Sequence, residues 1–234
     1  MQAVILAGGL ATRLRPMTAH IPKSLVQIHN KPFLQYQLDR LRDEGVTDII
    51  LCVGYLGDQI VEYFGDGHKY GVNITYSCDG DRLLGTAGAL KKAEEFLCEE
   101  FFMTYGDSYL FIDYQTVMSW FKQFSKQGLM LVYKNCDQYD KSNVSIEGDL
   151  VKSYSKTNKT KDMIYIDYGA SILRREVLNL VPEGEVYSLE ELFAQLIEQQ
   201  QLLAYEVKER FYQIGSLDGI EEFKKYISRS GGKG

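Results

Sequence analysis

The 234-residue chain is poor in the residues that build several common sites and segments. It has only three histidines, His20, His29 and His68, and no two stand at metal-ligand spacing. No histidine-based zinc centre and no Ser/His/Asp or Cys/His catalytic set is therefore expected. Cys52, Cys78, Cys98 and Cys136 lie 20 or more residues apart with no CxxC pair, so buried reduced thiols are expected in place of a zinc or redox motif. Apolar runs such as Ala3–Ala7 and Ile49–Val53 stop at five residues, against about 20 needed to span a bilayer. That predicts no membrane helix. No basic residue precedes Arg13, and Gly8 and Gly9 interrupt the apolar start, so both parts of a secretory signal are missing and a cytoplasmic location is expected. A Lys/Arg block is lacking too: 32 acidic against 26 basic residues give a net charge of −6. Such a chain is ill suited to gripping DNA or RNA through their phosphates, although single basic residues can hold a small anion.

What is present suits a folded domain, because 45% apolar and 25% charged residues match globular averages. Residues 1–229 are read as one domain and 230–234 as a glycine-rich flexible tail. Gln2 to Leu6 reads as a buried strand, and Lys31 to Glu44 as a helix with Leu34, Leu38 and Leu41 on one face, ending at Gly45. Strand and helix patterns then alternate: strands over 48–53, 72–77 and 101–105, helices over 58–64, 86–97 and 114–127. After that come short strand-like segments at 129–133, 143–147, 150–154 and 163–167, then helices at 189–200 and 217–227. The pattern predicts an α/β fold with a Rossmann-like, mostly parallel mixed sheet flanked by helices, followed by a small antiparallel lobe. In such folds ligands gather at the carboxyl ends of strands, here after Leu6, Val53 and Tyr105.

The segment LAGGLATRLRPMTAHIPKSL, Leu6 to Leu25, follows the first strand directly. Gly8 and Gly9 let the backbone approach an anion and turn its N–H groups inward, while Thr12, Arg13 and Lys23 add a hydroxyl and two fixed positive charges. That combination suits a polyphosphate. It matches neither GxxxxGK[ST] nor GxGxxG.

The segment resembles the signature of the sugar-phosphate nucleotidyltransferases, the pyrophosphorylases that make nucleotide sugars. LGTAGAL at 84–90 resembles the nucleotide-side loop of that family, YGDSYLFID at 105–113 its metal-binding strand end, and FYQIGSLDGIEEF at 211–223 its closing motif. The likeness spans nearly the whole chain in order. GYLGDQIVEYF at 54–64 and YIDYGASILRREVL at 165–178 most resemble the heptose 1-phosphate guanylyltransferases, and the first of these is also similar to glucose 1-phosphate cytidylyltransferases.

The resemblance implies attack by a sugar 1-phosphate on the α-phosphorus of an NTP, giving a nucleotide-sugar for surface-glycan precursors and pyrophosphate. A phosphate monoester with a second pKa near 6 is already largely ionised at neutral pH, so no strong base is required. What remains is to align two anions and balance the departing charge. Arg13, Lys23 and Asp107 are the expected catalytic residues, with Mg²⁺ on Asp107 and Gln213. Leu6, Ala7, Gly8, Gly9, Thr12, Asp79, Gly85 and Thr86 are expected on the nucleotide, and Gly106, Lys156, Asp167 and Gly169 on the sugar phosphate. A carboxylate at Asp79 would accept from guanine N–H or the cytosine amino group and repel the carbonyls of uracil or thymine, which favours GTP, then CTP. The expected partners are thus an NTP and a sugar 1-phosphate, with no nucleic acid and no membrane, and a homo-oligomer is compatible.

The chain departs from the family pattern at three places. Ser155 stands where an acid usually precedes the lysine, Asp167-Tyr168-Gly169 replaces Asn-Ala-Gly, and Gln213 takes the place of a second metal-binding Asp. Asp218 is expected to cap the final helix. These departures keep a second reading open, a nucleotide-sugar-binding regulatory module without turnover. A phosphocholine cytidylyltransferase, which shares the first loop, is less favoured because of LGTAGAL and YIDYGAS.

Overall fold

Buried apolar runs become strands here, and amphipathic stretches become the helices that cover them. A computed structural model of the chain describes residues 1–80 and 82–230; Asp81 and Gly231 to Gly234, most of the expected tail, lie outside the described residues. In chain order the elements are β1 (Gln2–Leu6), β2 (Gln27–Ile28), β3 (Lys31–Pro32), α1 (Phe33–Asp43), β4 (Asp48–Val53), α2 (Gly57–Phe64) and β5 (Asn73–Cys78). Next come α3 (Gly85–Lys92), β6 (Glu100–Tyr105), β7 (Ser108–Tyr109), α4 (Tyr114–Phe121), β8 (Gly128–Lys134), β9 (Val144–Glu147), β10 (Leu150–Tyr154) and β11 (Tyr165–Arg174). The chain closes with α5 (Leu189–Glu198), β12 (Leu202–Val207), β13 (Tyr212–Gln213) and α6 (Leu217–Arg229). The fold is mixed α/β with a mostly parallel sheet flanked by helices, as the alternation predicts.

The chain forms two compact units, one of Met1–Leu83, Thr104–Leu110 and the stretch from Phe211 onward, the other of Leu84–Met103 and Phe111–Arg210. In the first unit β1 pairs with β4, and β4 with β5, both in parallel. Fully buried Ala3, Val4, Ile5, Ile49 and Leu51 explain why these runs carry no polar alternation. α1 buries Phe33, Leu34, Leu38 and Leu41. An aromatic cluster of Phe33, Tyr36, Tyr109 and Phe223, with ring centroids 5.0 to 5.5 Å from that of Phe223, holds α6 in this unit.

The second unit is mainly antiparallel. β11 pairs with β8 and β9, and β10 with β9 and β12, all antiparallel, while β12 runs parallel to β8. β11 runs seven residues past the expected strand end at Asp167, and β12 was not foreseen. α4 ends at Phe121, short of the expected Gln127, and α3 ends at Lys92, with a separate 3-10 turn at Glu94–Phe96. Ser216, not Asp218, caps α6: its side chain accepts from Gly219 N–H, and Asp218 falls in the first turn. All four cysteines are free, but only Cys52 is buried; Cys78, Cys98 and Cys136 are exposed, which corrects the expectation for those three. Strand ends and short turns, unlike strand centres, leave a thiol in solvent. Among the described residues no helix is long and apolar enough to cross a membrane.

Candidate active site

In the first unit the loop after β1 is tied into the sheet at its start. Ala7 N–H donates to the Cys52 carbonyl (2.8 Å) and Tyr55 N–H to the Gly8 carbonyl (3.3 Å). A β-carbon on Gly54 would stand 2.9 Å from the Gly8 oxygen, so only glycine lets the ends of β1 and β4 approach this closely. Thr12 and Arg13 lie in an exposed 3-10 turn, Thr12–Leu14, entered through Ala11 at φ 48°. The buried Thr18 hydroxyl donates to the Ala11 carbonyl (2.8 Å), while Tyr55 O–H and Gln59 Nε2 donate to the Ala19 and His20 carbonyls (2.8 and 3.0 Å). The loop is therefore braced at both of its bends, and Arg13 projects from it.

Lys23 opens a third 3-10 turn, Lys23–Leu25, behind the extended Pro22 and after one at Met17–Ala19. Its ammonium lies 2.6 Å from Asp107 Oδ2, both side chains being about three-quarters buried. Gly106 makes room for this: its N–H donates to the Leu6 carbonyl (2.9 Å), and a β-carbon there would come within 2.9 Å of the same oxygen. Gln37 of α1 clamps the bend from behind, donating from Nε2 to the Tyr105 and Ser108 carbonyls (2.9 and 2.7 Å). Ser108 O–H reaches Asp107 Oδ1 (3.3 Å), and Ile214 N–H donates to the Asp107 carbonyl (2.9 Å). β13 lies antiparallel to β7 with Gln213 opposite Ser108, the residue after Asp107. Gly215 adds open space next to Asp107 Oδ2, 3.8 Å from where its β-carbon would be.

This donor set fits Mg²⁺, which takes one or two carboxylates and leaves its other positions to water and phosphate oxygens. One carboxylate, a neighbouring amide and a vacant side at Gly215 meet that demand. No group of three or more His, Cys, Asp or Glu side chains suited to a metal occurs among the described residues. Asp79, 9% exposed, follows β5; its N–H donates to the Val53 carbonyl (2.9 Å) and its carboxylate faces Gly54. It thus adjoins the glycine loop.

In the second unit Gly85 and Thr86 begin α3. Thr86 Oγ1 accepts from Leu189 N–H (2.7 Å), and the N–H groups of Ala87 and Gly88 share the Tyr187 carbonyl (2.9 and 3.0 Å). The LGTAGAL loop thus seats the chain entering α5. Asp167 sits at a bulge in β11, where the register against β8 shifts between Asp167 and Ser171 around Gly169, at φ 89°. Such bulges re-aim side chains. Asp167 accepts from Gly169 N–H (2.9 Å) and Tyr154 O–H (3.2 Å), and its own N–H donates to Asn143 Oδ1 (2.9 Å). Burial pushes its pKa up, opposed by the Gly169 N–H, the charge of Lys156 and the Tyr154 hydroxyl. Lys156 is exposed just past β10 and within electrostatic range of Asp167.

Four contributors escape the sequence reading: Gln37, Gly54, Tyr154 and Glu190, whose Oε1 accepts from Ser155 O–H and Lys156 N–H. Gln37 and Tyr154 are buried in α1 and β10, where their spacing reads as core. Gly54 and Glu190 sit inside motifs read for other reasons, and only their neighbours in space reveal them.

A glycine loop follows the first strand, and a lysine further along it pairs with an aspartate after a later strand, so charged groups gather at strand ends. The chain matches the nucleotidyl transferase family over residues 2–228 and belongs to that family. It is 32% identical over 225 residues to mannose-1-phosphate guanyltransferase of Saccharomyces cerevisiae, covering 92% of this chain and 61% of that one. It is 33% identical over 193 residues to D-glycero-alpha-D-manno-heptose 1-phosphate guanylyltransferase of Campylobacter jejuni, covering 82% and 84%. The fold matches HddC from Yersinia pseudotuberculosis complexed with GMP-PN, with a TM-score of 0.80, 25% identity and coverage of 97% and 99%. The chain spans about three-fifths of the length of the yeast relative.

Proposed function

We propose that the chain is a sugar 1-phosphate nucleotidyltransferase, with GTP and a heptose 1-phosphate as favoured substrates and residues 1–229 acting as one catalytic domain in the cytoplasm. The observation that carries this is the Lys23–Asp107 pair behind the glycine loop. In this reading Leu6 to Gly9 and Thr12 present backbone and hydroxyl donors to the triphosphate, and Arg13 and Lys23 balance charge on the leaving pyrophosphate. Asp107, with Gln213 beside it, would hold Mg²⁺, which supplies further charge neutralisation when bound. Asp79 reads the base, with Gly85 and Thr86 on the nucleotide side. Gly106 leaves space at the reacting phosphates. Lys156 meets the sugar phosphate, and Asp167 at the Gly169 bulge accepts from sugar hydroxyls. The guanylyltransferase names of two relatives and the GMP-PN complex of a third support GTP over the alternative, a glucose 1-phosphate cytidylyltransferase.

The neutral Gln213 favours the second reading, a nucleotide-sugar-binding module without turnover. Pyrophosphate release tests both, measured with Mg²⁺, four NTPs and the 1-phosphates of heptose, mannose and glucose. Release fastest with GTP and heptose 1-phosphate is expected. Tight binding with no release in any combination would support the binding module and overturn the enzyme.

A further inference from the structure

The capping of α5 leaves one of its first-turn acids over. Ser188 and Glu191 form a reciprocal capping box, in which Ser188 Oγ accepts from Glu191 N–H (3.2 Å) and Glu191 Oε2 accepts from Ser188 N–H (2.8 Å). With the helix start satisfied by that pair, Glu190 has no capping task. Its Oε1 instead accepts from Ser155 O–H (3.2 Å) and from Lys156 N–H (3.0 Å).

Ser155 is the hub of a tight turn. While donating to Glu190, its oxygen accepts from Asn158 N–H (3.0 Å) and Thr157 N–H (3.3 Å). A serine that folds the following backbone onto its own side chain makes a local turn that is weak alone. An ionised acceptor strengthens both the hydroxyl and the backbone bond made to it. Glu190 is itself well placed, because Leu189 N–H is held by Thr86 Oγ1 at 2.7 Å. Lys156 is exposed at the point where this turn leaves β10, just past the end of the strand at Tyr154 and the Ser155 N–H bond to the Asn143 carbonyl.

We propose that Glu190 is the positioning residue for Lys156: it pins the Ser155–Asn158 turn and so aims the Lys156 ammonium at the phosphate of the sugar 1-phosphate. A carboxylate reaching across from α5 thereby serves the strand end at which Ser155 offers only a hydroxyl. The inference rests on the reading of Lys156 as the phosphate-binding residue, and the experiment separates the two.

Kinetics of Glu190→Ala, Glu190→Gln and Lys156→Ala are measured with the sugar 1-phosphate turned over fastest in the panel above, alongside amide hydrogen exchange of residues 156–158 in the free proteins. Glu190→Ala should raise KM for the sugar phosphate about 10-fold or more, as loss of a charge-assisted hydrogen bond implies, with KM for NTP unchanged. Glu190→Gln, which keeps an acceptor oxygen, should recover most of that loss. Exchange at 156–158 should quicken in Glu190→Ala and stay near normal in Glu190→Gln. If Lys156→Ala raises KM for the sugar phosphate while Glu190→Ala does not, or if exchange is unaltered in Glu190→Ala, Glu190 does not position Lys156. If Lys156→Ala itself leaves that KM untouched, the reading of Lys156 fails, and the aim at phosphate proposed for Glu190 fails with it.

Discussion

Lys23 Nζ lies 2.6 Å from Asp107 Oδ2, so the cation proposed for the triphosphate and the carboxylate proposed for the metal satisfy each other in the free protein. A divalent ion approaching Asp107 alone meets an ammonium already in place. In the proposed reading, an NTP carrying its own Mg²⁺ would offer Lys23 a new anionic partner and leave Asp107 to hold the metal. Lys23→Ala should therefore bind Mn²⁺ more tightly in the free protein, as read by electron paramagnetic resonance, yet turn over about 100-fold more slowly because charge on the leaving group is unbalanced. Unchanged Mn²⁺ affinity would show that the ammonium does not compete for this carboxylate.

Asp107→Asn keeps the shape of the side chain and an acceptor oxygen but removes the charge that a hard cation requires. Turnover should fall at least about 100-fold across a Mg²⁺ titration, with the circular dichroism spectrum unaltered. Arg13→Ala should lower kcat/KM for NTP, since the braced loop presents Arg13 to solvent. Near-normal turnover in the first variant would remove Asp107 from the metal, and an unchanged kcat/KM in the second would remove Arg13 from the triphosphate.

The Asp167 carboxyl is held above its ordinary 3.8 by burial, and the sign of its effect on stability follows. The native state binds the proton more tightly than the unfolded chain, so stability falls as pH rises from 3.8 through the raised native value. Asn at this position cannot ionise and avoids that loss. The difference in Tm between Asp167→Asn and the parent should therefore shift in favour of the variant between pH 4 and pH 7. A difference that stays flat over this range would mean that the carboxyl titrates as a solvated group.

The unequal legibility of the chain has physical causes. The Leu6 loop and the Gly106-Asp107 bend are readable because a buried five-residue strand and a glycine fall next to chemistry-bearing side chains. β12 is hidden because Gln200, at φ 55°, turns the chain from α5 into the strand through a linker of only three residues, where a longer one would have marked the boundary. The continuation of β11 past Asp167 is hidden because the bulge at Gly169 breaks the alternation by which a strand is recognised. In the site, Lys23 and Asp107 are readable as single residues but their pairing is not, since 84 positions separate them. Glu190 is masked for a different reason: next to Ser188 and Glu191 it reads as one more acid at a helix start.

In the proposed reading Gln213 sets the demand for metal. β13 holds it opposite Ser108, next to Asp107, and an amide carbonyl there can coordinate Mg²⁺ directly or through water without contributing charge. With one formal negative charge from the protein, itself shared with Lys23, the free protein should bind Mg²⁺ poorly and receive it with the NTP. Gln213→Asp adds the missing charge at nearly the same place, on a side chain one methylene shorter. The Mg²⁺ concentration giving half-maximal rate at fixed NTP should then fall. Release of the product pyrophosphate should slow as well if the metal leaves with it, so kcat should gain less than the midpoint does. The competing arrangement has Gln213 turned away and another acid completing the shell. A Mg²⁺ titration of rate decides between them: an unchanged midpoint in Gln213→Asp means that this side chain does not serve the metal, and a midpoint raised in Asp167→Asn would assign the second ligand to Asp167 instead.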